Sequence, residues 1–292
     1  MAIDFTLSPE LDELRLRIRT FVDDVIKPTE AELTDPDHIE DRAEYLTKLI
    51  GMRTKAQEAG IWLPHMPKEW GGMGLGHVEL AMVQAEAAKA YYGPFVFNCM
   101  APDEGNMHTL LNWATDEQKE KYLRPLCEGT KMSCFAMTEP EVAGSDPTLI
   151  QTTAVQDGDE WVINGHKWFI SNARRAAFAI LICRTEDNPD LPQAANTAFI
   201  VETHWEGWNR VREVETMHGG TGHSEIVIED LRVPNENMLG GRGQGHLLGQ
   251  SRLGPARLAH CMRWIAQAET ALDMMVEPVE RTGRCSRRSR AS

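Results

Sequence analysis

The stretch QTTAVQDGDEWVINGHKWFIS, residues 151–171, decides the fold. Its β-branched and aromatic residues alternate with polar ones, and the dipeptides Asp157-Gly158 and Asn164-Gly165 each predict a hairpin turn. Runs of the same character lie on either side: SCFAMT (133–138), AFAILICRT (177–185), NTAFIVET (196–203) and HSEIVIEDLRVP (223–234). No helical run separates them. Residues from Lys131 to Gly240 therefore read as an antiparallel sheet domain, not as alternating βαβ units.

Outward from the sheet the period changes to that of helices. Ser8-Pro9-Glu10 is an N-cap with proline at the first helical position, followed by Leu11, Leu14, Ile18, Phe21, Val22 and Val25 at helical spacing. Further helices are expected over Tyr45–Ala59, over Val78–Ala90, and from the cap signal Thr115-Asp116-Glu117-Gln118 to about Gly129. From Gly245 a helical pattern returns, with Leu253, Leu258, Cys261, Met262, Ile265, Leu272 and Met275 recurring on one side. The fold class is α+β: a helical N-terminal domain (1–129), a middle antiparallel β domain (130–242), the incomplete start of a C-terminal helical domain (243–280) and an Arg-rich tail (281–292).

Composition excludes several classes. Hydrophobic residues at 42% and charged residues at 25% are those of an ordinary globular protein, which disfavours disorder and fibrous structure. A net charge of −14 repels nucleic-acid backbones and anionic lipid, so no nucleic-acid or membrane partner is expected. Against that background the last twelve residues carry five arginines and no acid. Six cysteines without a CxxC pair point to free thiols in a reducing, cytoplasmic compartment. The N-terminus lacks a basic and apolar leader pattern, and no apolar run approaches the roughly 18 residues of a membrane helix.

Motif searches remove further chemistry. There is no HExxH, GxSxG, P-loop or paired Cys/His spacing, so no metal site is expected. Gly71–Gly76 and Gly241–Gly245 lack the preceding strand that gives a glycine-rich turn its phosphate geometry, and read as loops and helix entries. His166 and His218 read as surface or packed residues. Two segments remain. In Cys134–Asp146 a threonine at a strand end and the small Gly144-Ser145 pair offer hydrogen bonds and close approach to a planar ring edge, or simply a capped tight turn. In Trp161–Asn172 a return strand carries Trp168, Phe169 and Ser171, which form an apolar wall with a polar edge or an ordinary aromatic stripe.

Taken together at this spacing, the two segments resemble the acyl-CoA dehydrogenase family, which has a TEP strand end followed by an AGSD loop and an ING-x-K-x-[WF]-I-[ST]-N strand. Further likenesses are Gly71-Gly72-Met73-Gly74, the helix from Asp116 to Gly129, Val233–Gly240 and Ser251–Arg257, with the branch of family members ten and eleven most similar. The resemblance covers about residues 5–280. It implies FAD as cofactor, with Phe135, Met137 and Thr138 against the flavin ring, Gly144 and Ser145 along the flavin and acyl-CoA approach, and Phe169, Ile170 and Ser171 as the other contact. It implies that Arg252 meets the CoA portion of the substrate and that Arg281 reaches FAD of a neighbouring subunit. The implied reaction is α,β-dehydrogenation of an acyl-CoA, of long chain by branch likeness. Electrons would pass to an electron-transfer flavoprotein or similar acceptor, and the family's full-length members are homo-oligomers. In the family the base is a glutamate late in the C-terminal domain or, in a minority, on its first helix, where this sequence has Ser251. No catalytic residue is assigned. After Glu280 the family pattern stops, which is expected of a truncated or frame-shifted gene. A truncated chain is expected to be inactive or impaired and to hold FAD weakly; the alternative is a non-catalytic flavin- or acyl-CoA-binding remnant.

Overall fold

Ser8 Oγ accepts the Leu11 amide at 3.2 Å and Pro9 takes the first helical position, which starts α1 (Pro9–Phe21) where the sequence predicts it. The structure, a computed structural model, describes residues 6–33, 41–187, 190–217 and 222–282, with side chains to position 277. A π-helical turn over Val22–Ile26 leads from α1 into α2 (Lys27–Glu32), and α3 (Arg42–Glu58) and α4 (His77–Ala87) follow. Beyond a short α5 (Gly93–Val96) come α6 (Asp103–Trp113), α7 (Asp116–Gln118) and α8 (Arg124–Glu128). Thr115 and Gln118 form the expected capping box at the start of α7.

The sequence does not predict α6. Its inward positions are Asp103, Glu104, Asn106 and Thr109 as well as Met107 and Leu110, all buried, so hydrophobic periodicity is masked by polar residues that find partners only in the fold. Asp103 accepts the Ser133 amide at 2.7 Å and its hydroxyl at 2.6 Å, and Asn106 donates to the Cys134 carbonyl at 3.1 Å. These bonds dock the helical layer on the first strand.

The strands are β1 (Ser133–Ala136), β2 (Thr153–Asp157), β3 (Glu160–Ser171), β4 (Phe178–Arg184), β5 (Asn196–Glu202), β6 (Trp208–Glu213), β7 (His223–Pro234) and β8 (Met238–Leu239). They form one sheet in the order β6-β7-β3-β2-β4-β5-β8, with β1 beside β4. The expectation of an antiparallel sheet needs amendment at β4, which pairs in parallel with β1 and at one position with β2. The β2-β3 hairpin intervenes in the chain between β1 and β4, so the chain returns to β4 running the same way as β1. Both faces of β4 are covered. Phe178, Ile180 and Ile182 pack toward the helices, and Ala179, Leu181 and Cys183 pack toward Trp161, Ile163 and Ile226. That is why AFAILIC reads as a continuous apolar run rather than an alternating one. Each such fully buried aliphatic side chain contributes on the order of 1.5–3 kcal/mol.

Asp157-Gly158 turns β2 into β3 as expected. Asn164-Gly165 does not form a hairpin; it lies inside β3 at a register shift against β7. A Cβ at Gly165 would come 2.3 Å from Thr152 Oγ1, so the glycine serves close approach of the β2 entry rather than a turn.

Finally α9 (Gly245–Thr282) runs along α4 and α6. The apolar stripe read along one side of α9 is exposed at Leu258, Cys261, Ile265, Leu272 and Met275, while Leu248, Ala259, Arg263 and Ala266 are buried. Buried Glu104 faces Arg263 at 3.6 Å, so the inward side of α9 carries a cation opposite the carboxylate of α6.

Candidate functional site

At the end of β1 the alternation of a strand puts Phe135 and Met137 on one face, both half-buried against the helical cluster. Thr138 continues beyond them. Its carbonyl accepts the Trp168 amide at 3.0 Å, which joins the two segments that the sequence singles out. Trp168 and Phe169 form a bulge in β3, between Lys167, paired with Ile226, and Ile170, paired with Ser224. Phe169 has a φ of +51°, a left-handed conformation that is costly for an aromatic residue, and its side chain is 43% exposed.

Around this join the predicted residues assemble unevenly. Gly144 lies over Thr138, since a Cβ there would sit 2.8 Å from Thr138 Cγ2. Ser145, beside it, is exposed. Ser171 Oγ shares a 2.9 Å hydrogen bond with His223 Nδ1, and the Phe169 and His223 rings are 6.4 Å apart. Ile170 is fully buried in the sheet core, so only its backbone faces the site. The exposed edge thus combines a ring wall (Phe169), hydroxyls at Thr138 and Ser171, and a cradle over Gly144 that a side chain would fill. That set suits a flat ring with polar edges.

Arg252 sits apart from this edge, between α6 and α9. Its guanidinium lies 4.3 Å from the Phe135 ring centroid and donates to Asn106 Oδ1 at 3.0 Å. Burial lowers its pKa to about 10, against the opposing pull of Glu104 and Asp103. Ser251 donates its hydroxyl to the Leu248 carbonyl at 2.8 Å and accepts the Trp113 indole N–H at 3.1 Å. Arg281 falls in the last turns of α9, and its side chain lies outside the described residues, as do His218 and the tail beyond Thr282.

Glu139 is buried and ion-paired with Lys167 at 2.8 Å. Glu225 is held by His166 Nε2 at 2.9 Å and Arg212 Nε at 2.5 Å, and Glu141 faces His166 Nδ1 at 2.6 Å. Glu139 and Glu225 are both tied into ion pairs.

Sequence reasoning missed Lys167, His223 and the acids of α6. For Lys167 a signal existed: Trp161, Ile163, Gly165 and Lys167 share one parity of β3, and the first two are core residues. Among the described residues no group of three or more His, Cys, Asp and Glu is arranged to hold a metal, and no helix is long and apolar enough to cross a membrane.

Residues 8–130 match the acyl-CoA dehydrogenase N-terminal domain and residues 134–231 the middle domain. The chain is 36% identical over 282 residues to "Probable acyl-CoA dehydrogenase FadE2" of Mycobacterium tuberculosis, covering 95% of this chain and 69% of that protein. It is 35% identical over 277 residues to human acyl-CoA dehydrogenase family member 11, covering 91% of this chain but 35% of that protein. Butyryl-CoA dehydrogenase from Megasphaera elsdenii superposes with a TM-score of 0.77 at 28% identity, covering 94% of this chain and 70% of that one. The chain thus spans about a third of the length of the family member 11 relatives it matches.

Proposed function

The chain belongs to the acyl-CoA dehydrogenase family, and on that premise we propose that it serves FAD-dependent α,β-dehydrogenation of a long-chain acyl-CoA. The observation that carries the reading is the Trp168 N–H to Thr138 carbonyl bond, which unites the two ring-binding segments in one edge. When bound there, FAD supplies the acceptor for the hydride leaving the β carbon. The protein's own part is to hold and polarise. Phe169 and Met137 give apolar contact, Thr138 and Ser171 hydroxyls meet polar ring atoms, and Gly144 leaves room for the ring. Ser145 lies on the substrate approach, and Arg252 acts from behind Phe135 on the acyl-CoA side. Arg281 is assigned to FAD of a neighbouring subunit. In the complete assembly we place a homo-oligomer that passes electrons to an electron-transfer flavoprotein or similar acceptor in the cytoplasm; the five described cysteines, all free thiols, suit a reducing compartment.

Proton abstraction is the step to which no residue of this chain is assigned. Ser251 is bound to helix and indole partners and has no carboxylate to give. This favours, for the 292-residue chain alone, retention of weak flavin binding with impaired turnover. Anaerobic addition of a long-chain acyl-CoA to the FAD-loaded chain tests both parts. The expected result is a flavin band that desalting removes and that acyl-CoA bleaches slowly or not at all. Rapid bleaching would show that a base is present, and absence of any bound flavin would overturn the flavin reading itself.

A further inference from the structure

Two buried, hydrogen-bonded charges lie beside the candidate ring-binding edge. Lys167 is fully buried, and its Nζ donates to Glu139 Oε1 at 2.8 Å and to the Met137 carbonyl at 2.9 Å. Glu139 is 2% exposed and accepts from Gln151 N at 2.7 Å, Thr152 N at 2.9 Å and Thr152 Oγ1 at 2.5 Å. Two apolar side chains would fill that space at lower desolvation cost, so stability alone does not account for the pair. What a buried ion pair with directed hydrogen bonds adds is fixed position.

The positions it fixes are those of the candidate site. Through Met137 O and Glu139 the pair pins both sides of Thr138, the residue whose carbonyl receives the Trp168 amide. Lys167 is also the last paired residue before the bulge that carries Phe169 at a φ of +51°. A strained backbone persists only where its surroundings over-determine it. Thr152, bound to Glu139, is the same residue that fills the space over Gly165 two positions earlier in β3.

We propose that Lys167 and Glu139 are positioning residues for the flavin, locking the β1 end and the β3 bulge into their binding arrangement before the ring arrives. This rests on the flavin reading above. Neither residue touches the ring; they act through Thr138 and Phe169.

The test is FAD titration and visible spectroscopy of the full chain, wild type against Glu139→Gln, with hydrogen exchange of residues 166–171 in the flavin-free state. Glutamine keeps the size and an acceptor for Thr152 but releases the ionic hold on Lys167. The expected result is native circular dichroism, faster exchange across Trp168 and Phe169, a Kd for FAD raised about tenfold, and loss of resolved structure in the flavin band. Wild-type exchange, affinity and spectrum in a folded Glu139→Gln chain would overturn the proposal while leaving the flavin reading intact. If the wild type itself takes up no FAD, the flavin reading fails and this proposal falls with it. Should Glu139→Gln not fold, the double variant Lys167→Met/Glu139→Leu, which removes both charges together, takes its place; unchanged affinity and spectrum there would be equally contradictory.

Discussion

A methyl group on Gly144 would sit 2.8 Å from the Thr138 methyl, and Thr138 is β-branched with few rotamers to escape into. Gly144→Ala must therefore turn Thr138 or lift the loop, and either moves a hydroxyl of the proposed flavin edge. We expect FAD affinity to fall about tenfold with the melting temperature almost unchanged, read by flavin fluorescence quenching. His166 offers a second test at this scale. Desolvation works against its charge, but Glu141 and Glu225, one at each ring nitrogen, outweigh it and raise its pKa. A neutral imidazole donates only once, so the doubly bonded form is the cation. Its contribution to stability is present below about 6.5 and fades as pH rises through the elevated value. An NMR titration of His166 is expected to give a pKa above 6.5; a value at or below it would contradict the bridge. Because the group is partly exposed, the energy at stake is on the order of tenths of a kcal/mol.

At the scale of elements, α6 is the joint between the helical layer and the sheet, and its cost is paid in buried acid. Burial raises Glu104 to about 7 despite Arg263, Arg252 and Gln84, and raises Asp103 to about 6 despite its bonds to Ser133. A carboxyl whose pKa is raised in the fold binds more protons folded than unfolded, so its penalty grows as pH climbs from about 4.5 to about 7. Wild-type stability relative to Glu104→Gln is expected to decline over that interval, by at most ~1.4 kcal/mol per pH unit. Parallel denaturant titrations at pH 5 and pH 8 measure it, and a constant difference between the two proteins would contradict the assignment. The same helix shows where sequence reading stops. Caps at Ser8 and Thr115 are local chemistry and were legible. The burial of Asp103 and Asn106 depends on Ser133 and Cys134, some thirty positions away, and hydrophobic periodicity carries no trace of it. The inward face of α9 carries Arg263, a charge that apolar counting does not mark.

For the whole molecule, the order of helices, sheet and returning helix was legible because period 3.6 gives way to period 2 at Met132 and back again at Gly245. Parallel pairing of β1 with β4 was not, because strand partners far apart in sequence leave no local signature. Of the candidate site, Thr138, Gly144, Phe169 and Ser171 stand in the two segments that the sequence singles out and strand parity marks Lys167, whereas His223 emerges only once β3 and β7 lie side by side. That the β1 end and the β3 bulge form one flavin-binding edge is proposed, and FAD titration of the full chain, followed by fluorescence quenching, with Phe169→Ala beside the wild type, tests it. Saturable binding by the wild type and at least a tenfold loss in Phe169→Ala, with the fold retained, are expected. Equal binding by the two proteins, or none by either, would contradict the proposal.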